Sequence, residues 1–179
     1  MKPALFLDRD GVINQEVNYL SKIEEFRFID GVFETCYEFQ KQGFYIFVIT
    51  NQAGIARGYY NEEEYYTLSN WMLKQFLKRD IRIHKIYHCP HHPEGIVKKY
   101  AIECDCRKPN PGMIKQACTE FTVDLSRSIL VGDKLTDILA GKAAGVKTNI
   151  LVRSGHSFSA SDEEYADKVV NSIDDVNYV

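Results

Sequence analysis

Two aspartates, Asp8 and Asp10, close a short apolar run near the start of the chain, with Gly11 directly behind them. In an extended segment residues i and i+2 project from one face, so the two carboxylates point together while Arg9 between them points away. Carboxylates that close repel each other unless a cation lies between them or one keeps a proton. Either resolution suits chemistry on phosphate. A hard divalent ion such as magnesium takes carboxylate, carbonyl and phosphate oxygens. A carboxylate can also attack phosphorus while its neighbour moves a proton, and Gly11 lets the backbone come close to a phosphate. Later residues supply the rest of such a site. Thr50 offers a hydroxyl for phosphoryl oxygens, Lys108 a cation to offset the charge of phosphate and Asp8, and Asp133 with Asp137 acidic metal ligands. Each alone is more often a cap or a solvated charge. Together and in this order, they outweigh the alternative of a metal-free turn built from Asp and Gly.

A second constellation is sulfur-rich. Cys89-Pro90-His91 and Cys104-Asp105-Cys106 bracket a twelve-residue stretch. Three thiolates and an imidazole form a closed tetrahedral zinc set, with no position left for water. Soft sulfur ligands disfavour magnesium, so two metals with separate duties are expected. His88 and His92 are rival imidazoles to His91. The loop ends one residue before Arg107-Lys108, so pinning it fixes where those two side chains point. Cys36 and Cys118 sit in helical-looking segments and read as core residues.

The elements around these residues follow one rhythm. Ala4–Leu7, Tyr45–Ile49, Lys85–Tyr87, Ser128–Val131 and Asn149–Val152 read as buried strands, with a further strand at Lys168–Val170. Candidate helices lie at 31–42, 62–79, 111–121 and 135–144. Gly43 and Gly145 stand at helix stops, Asn61 and Asn110 at caps, and Pro111 in a first turn. Alternation of this kind predicts an α/β fold, a parallel sheet with helices on both faces and right-handed crossovers. Ligands of such folds bind beyond the carboxyl ends of the strands, which is where Asp8, Thr50 and Asp133 fall. Residues 14–29 and 88–109 break the rhythm. The tail, 153–179, is polar and says nothing about function.

Composition bounds the setting. A chain of 179 residues, 45% hydrophobic and 26% charged, with net charge −3, fits a single globular domain over 1–179 and excludes a generic nucleic-acid surface. No apolar stretch reaches the roughly 20 residues of a membrane span. A cytoplasmic monomer without nucleic-acid or membrane partners is expected, with its cysteines as thiols or metal ligands.

Leu7-Asp8-Arg9-Asp10-Gly11-Val12, Ile49-Thr50-Asn51-Gln52, Arg107-Lys108-Pro109 and Val131-Gly132-Asp133-Lys134-x-x-Asp137 resemble the four motifs of the haloacid dehalogenase superfamily. The Asp-Arg-Asp-Gly form resembles a narrower branch, the D-glycero-D-manno-heptose 1,7-bisphosphate 7-phosphatases and the histidinol-phosphate phosphatases. The resemblance implies a three-layer, Rossmann-like fold and a magnesium-dependent phosphatase working through a phospho-aspartate. Asp8 would be the nucleophile, Asp10 the general acid and then base, and Thr50 and Lys108 phosphoryl stabilisers. Magnesium would be held by the Asp8 side chain, the Asp10 carbonyl and Asp133, with Asp137 either orienting that shell or entering it. The resemblance favours His91 with Cys89, Cys104 and Cys106 for a structural zinc. The intervals from Asp8 to Thr50 and from Thr50 to Lys108 leave no room for a separate cap domain, so loops must select the substrate. The resemblance places Glu16, Val17, Asn18, Tyr19, Asn51 and Gln52 near a sugar, and Arg107 and Lys134 near a second phosphate or sugar hydroxyls. The substrate expected is a small sugar bisphosphate of heptose (lipopolysaccharide precursor) synthesis. Histidinol phosphate or another small phosphomonoester stays open, as does a non-catalytic zinc-stapled module; a DNA-end phosphatase would need a basic surface that is lacking.

Overall fold

A computed structural model describes residues 1–178; Val179, the last residue of the expected domain, lies outside them. Six parallel strands form one sheet in the order β3-β2-β1-β4-β5-β6. They are β1 (Ala4–Leu7), β2 (Tyr45–Asn51), β3 (Lys85–Cys89), β4 (Ile129–Gly132), β5 (Thr148–Val152) and β6 (Lys168–Val170). The helices are α1 (Val32–Lys41), α2 (Ala53–Ala56), α3 (Glu62–Leu77), α4 (Gly112–Glu120), α5 (Leu135–Ala144) and α6 (Ala160–Glu163).

Alternation along the buried strands divides the core into two layers. Leu5 and Leu7 of β1 pack with Cys36 and Phe39 of α1 and with Leu68, Met72 and Phe76 of α3. Ala4 and Phe6 pack on the opposite face with Met113, Ile114 and Ala117 of α4 and Ile138 and Ala140 of α5. The expected three layers are therefore present. The chain runs outward from β1 in one direction through β2 and β3, and in the other through β4, β5 and β6. The reversal between β1 and β4 opens a crevice at their carboxyl ends, the usual ligand position in such sheets.

Several boundaries differ from the sequence reading. β2 continues past Ile49, so Thr50 and Asn51 are ladder residues opposite His88 and Cys89; the polar tip stays extended because β3 pairs with it. β4 starts and ends one residue later than expected. Asn61 caps α3 with a full capping box, and Gly43 and Gly145 take the left-handed conformation that favours glycine after a helix. Asn110 is not a cap: its side chain donates to the Cys104 carbonyl, and Pro111 occupies the N-cap position of α4 rather than the first turn.

Candidate active site and metal centres

Asp8 follows the last residue of β1, and its backbone N–H donates to the Val131 carbonyl of β4. That bond fixes it at the reversal point of the sheet. Its Oδ1 accepts from the Arg9 backbone N–H at 2.9 Å and from Lys108 Nζ at 2.9 Å. Lys108, itself buried, also donates to the Ile49 carbonyl at 2.8 Å and pairs with Asp137 Oδ1 at 2.6 Å. Burial opposes the lysine's charge, but Asp137 and Asp8 outweigh it and raise its pKa. Asp8 is pushed well above the ordinary carboxylate range, first by burial and next by the charge of Asp137, with Lys108 pulling the other way.

Asp10 lies on a tight turn in which the Arg9 carbonyl accepts from the N–H groups of Val12, Ile13 and Asn14. Arg9 does not point away, contrary to the strict alternation expected of an extended segment. Beyond Asp8 the chain has left the ladder, and the buried guanidinium folds back onto Asp10, with Nη2 3.0 Å from Oδ1. Asn14 Nδ2 (3.0 Å, to Oδ1) and Gln52 Nε2 (3.3 Å, to Oδ2) complete the cradle. Arg9 Nη2 also donates to the Leu20 carbonyl, which ties the 14–29 loop to this centre.

Asn51 and Gln52 spend their polar groups inside the protein. The Asn51 amide exchanges two hydrogen bonds with the backbone N–H and carbonyl of Lys108. Gln52 donates to Thr50 Oγ1 at 2.8 Å and to Asp10, and accepts from the Tyr60 hydroxyl. Thr50 is fully buried behind Gln52.

A cavity of about 390 Å3 opens over these groups, of a size to hold a small phosphorylated ligand. Asp8, Asp10, Asn51, Gln52 and Lys108 line its floor, Glu16, Val17, Asn18 and Tyr19 one wall, and Arg107 and Lys134 its rim. Among the lining residues not assigned to the substrate from the sequence are Arg57, His92 and His156. Arg57 Nη2 lies 3.4 Å from His92 Nε2, and Arg57 and Arg107 supply positive charge there, while His92 is held below its ordinary pKa, first by burial and then by the two guanidinium groups. The signal for Arg57 was its place in the loop after the second motif. Nothing in the tail's composition singled out His156.

Carboxylate oxygens of Asp8, Asp133 and Asp137 lie within 4.8 Å of one another. Asp133 is buried, and its Oδ1 has no hydrogen-bond partner among the described residues. Burial, then the charge of Asp137, raises its pKa to about 6. An orphaned buried oxygen among crowded acids is what a divalent cation would satisfy, so these residues fit one. Asp137 has both oxygens occupied: Oδ1 by Lys108, and Oδ2 by the N–H groups of Asp133 and Lys134.

The sulfur cluster is equally compact. Cys104 Sγ lies 3.5 Å from Cys89 Sγ and 3.3 Å from Cys106 Sγ, while His91 Nδ1 is 3.7 Å from Cys89 Sγ and 3.4 Å from Cys106 Sγ. The edges of a tetrahedral site with bonds near 2.3 Å span roughly 3.5 to 3.8 Å, so the four atoms fit zinc. Hydrogen bonding, first from Cys89, holds the Cys106 thiol below its ordinary pKa, while the same bond pushes Cys89 up. The rival imidazoles are engaged elsewhere. His88 stacks on Tyr65 and contacts Glu62, and His92 Nδ1 accepts from the Glu94 backbone.

Comparison with known proteins places this geometry. A family model described as HAD-hydrolase-like matches residues 105–176. The chain is 45% identical over 174 residues to the D-glycero-beta-D-manno-heptose-1,7-bisphosphate 7-phosphatase of Yersinia pestis, covering 97% of this chain and 93% of that protein. It is 47% identical to the protein of the same name from Escherichia coli K12, covering 97% and 91%. Among solved structures, a D,D-heptose 1,7-bisphosphate phosphatase from B. bronchiseptica, in complex with magnesium and phosphate, superposes with a TM-score of 0.80 at 27% identity, over 97% of this chain and 94% of that one. Identity of this level across nearly the whole length of both chains leaves one conclusion: the protein is a haloacid-dehalogenase-like phosphatase belonging to the D-glycero-beta-D-manno-heptose-1,7-bisphosphate 7-phosphatase family.

Proposed function

We propose that the chain removes the 7-phosphate of D-glycero-D-manno-heptose 1,7-bisphosphate through a phospho-aspartate at Asp8. The observation that carries this reading is the paired fixing of two carboxylates. Asp8 Oδ1 is occupied by Lys108 and the Arg9 amide, which leaves Oδ2 to attack phosphorus, while Asp10 is gripped by Arg9, Asn14 and Gln52. Asp8 attacks in line as Asp10 protonates the departing sugar oxygen. Lys108 and Thr50 stabilise the equatorial oxygens. Asp10, now a base, takes the proton of the water that hydrolyses the aspartyl phosphate. Magnesium, held by the Asp8 side chain, the Asp10 carbonyl and Asp133, supplies neutralisation of charge on the phosphoryl group. Asp137 orients that shell and Lys108, since both its oxygens are taken. Zinc on Cys89, His91, Cys104 and Cys106 anchors the loop that delivers Arg107 and Lys108.

Glu16, Val17, Asn18 and Tyr19 contact the sugar in this reading, and Arg107 and Lys134 meet its second phosphate, for which the guanidinium fork is suited. Asn51 and Gln52 serve the site from behind, holding Lys108 and Asp10. A single domain, a monomer and a cytoplasmic setting complete the reading and rest on the sequence; in the structure, no helix among the described residues is long and apolar enough to cross a membrane.

Steady-state kinetics on the heptose bisphosphate and on histidinol phosphate test the substrate. A kcat/KM at least tenfold higher for the bisphosphate is expected; a preference for histidinol phosphate sinks the assignment. Arg107→Ala should raise KM for the bisphosphate by about 10-fold or more, the cost of one charge-assisted contact. It should leave KM for a simple monophosphate nearly unchanged. A second expectation concerns Lys108→Met, which leaves Asp8 and Asp137 buried without their common cation. Denaturant melts of the metal-free protein should show a loss of about 3 to 5 kcal/mol, and phosphate release should fall with it.

A further inference from the structure

We infer that His156 is a positioning residue for the divalent cation: it locks Asp133 Oδ2 and so aims Asp133 Oδ1 at the ion. This inference rests on the phosphatase reading above, but it concerns a residue outside the four motifs, in the polar segment after β5.

Asp133 is held through one of its two oxygens. Its Oδ2 accepts from the His156 backbone N–H at 2.8 Å and lies 2.7 Å from His156 Nδ1. Both contacts fall on one oxygen. Oδ1 is buried and has no partner among the described residues. Gly11 and Gly155 pack against the Oδ2 edge as well, because a Cβ at either would run into that oxygen first. The segment is itself pinned, since Ser154 Oγ donates to the Gly11 carbonyl at 2.7 Å. The carboxylate cannot rotate to exchange its oxygens without losing both His156 bonds, so the free oxygen has a fixed direction.

The chemistry of the ring defines the role. An acceptor carboxylate needs a donor, so Nδ1 carries a hydrogen, and it does so in the neutral Nδ1–H tautomer and in the imidazolium alike. The interaction therefore needs no change of charge. The other ring nitrogen, Nε2, looks toward Glu16 Oε1 at 3.6 Å, beyond hydrogen-bond length, and the ring lines the cavity. One side chain thus spans from the acid that fits the cation to the loop that walls the substrate. Partners that orient a ligand are commonly worth 10- to 100-fold in metal affinity. The backbone N–H bond survives the replacement of His156 by Ala, Leu or Asn, so the side-chain share is expected near the lower end.

The test measures metal binding without substrate. Free Mn2+ is counted by electron paramagnetic resonance in titrations of wild type, His156→Ala, His156→Leu and His156→Asn, with Mg2+ as competitor. Ala and Leu remove the donor; Asn returns an N–H to nearly the place of Nδ1. The expected result is about 10-fold weaker Mn2+ and Mg2+ binding in Ala and Leu, with Asn within about 3-fold of wild type. The Mg2+ needed for half-maximal hydrolysis of p-nitrophenyl phosphate should shift in parallel. Ala binding within 3-fold of wild type overturns the proposal, as does Asn binding as weakly as Ala. If Ala and Leu both fail to fold, the proposal also falls, because a residue that only aims a ligand does not hold the fold. Failure of the wild type on heptose bisphosphate would sink the substrate reading and leave the metal affinities to decide the role of His156.

Discussion

Asp8→Asn should abolish phosphate release from every substrate, with kcat lowered on the order of 10^4-fold or more, the scale seen when a covalent nucleophile is removed and only binding and electrostatics remain. The change keeps the volume and removes the attacking carboxylate. Its effect on stability should run the other way. Burial and the neighbouring charge of Asp137 already favour a neutral group at this position, so an amide there relieves repulsion in the metal-free protein while Lys108 keeps its pairing with Asp137. The expected thermal midpoint is equal to or above that of wild type, the usual opposition between function and stability at a strained site. Two measurements check this: phosphate release together with trapping of acid-stable phosphoprotein, and a melt of the same sample. An Asn variant that still turns over would end the case for covalent catalysis here.

Removal of the sulfur-bound metal should have the second largest effect. With a chelator, or in Cys104→Ser, residues 88–107 lose the point that joins His91, Cys89 and the 104–106 turn. Binding energy at such sites is folding energy, so the thermal midpoint should fall by about 10 °C or more, taking roughly 2 to 4 °C per kcal/mol for a chain of this size. Activity should be lost in the same step, although no sulfur touches the cavity floor, because Arg107 and Lys108 follow the loop directly. Hydrogen exchange separates local from global loss. New exchange should be confined to the loop and the end of β3, with β1 and β4 still protected. Full activity in a zinc-free protein would show that the Asn51 amide and the contacts of Lys108 Nζ with Ile49, Asp8 and Asp137 hold Lys108 in place without the metal.

What could be read from the residues, and what could not, follows from the range of the interactions. The strands and helices were legible because hydrophobic period and cap chemistry are local: Asn61 with Glu64, Gly43 and Gly145 each carry their signal within a few positions. The carboxylate cluster was legible because Asp8 and Asp133 sit at strand ends, which a parallel sheet gathers, and Asp137 follows in the first turn of α5. Arg9 was misread since the alternation rule stops where the ladder stops, and a turn begins at that residue. The end of β2 was underestimated because Thr50 and Asn51 are polar; pairing with β3, a non-local event, keeps them extended. Asn110 fits a cap by type, yet its amide donates to the Cys104 carbonyl and the Asp105 carbonyl of the metal loop takes the Gly112 N–H at the start of α4. His156 was invisible for the strongest reason. Its meaning depends on Asp133, which lies one whole strand–helix unit away.

The order of the strands also bears on how the protein is made. The central strand β1 emerges from the ribosome first, yet one of its two neighbours, β4, is separated from it by more than a hundred residues, as the Ala4 N–H to Ser128 Oγ bond across 124 positions illustrates. At roughly 5 to 20 residues per second, the nascent segment carrying the reactive aspartate waits about 6 to 25 seconds for that edge to be covered. During this interval a nascent chain displays a bare apolar ribbon of the kind chaperones hold. Competence for hydrolysis therefore arrives only once the chain has been translated past Asp133, whatever the earlier segments have already built.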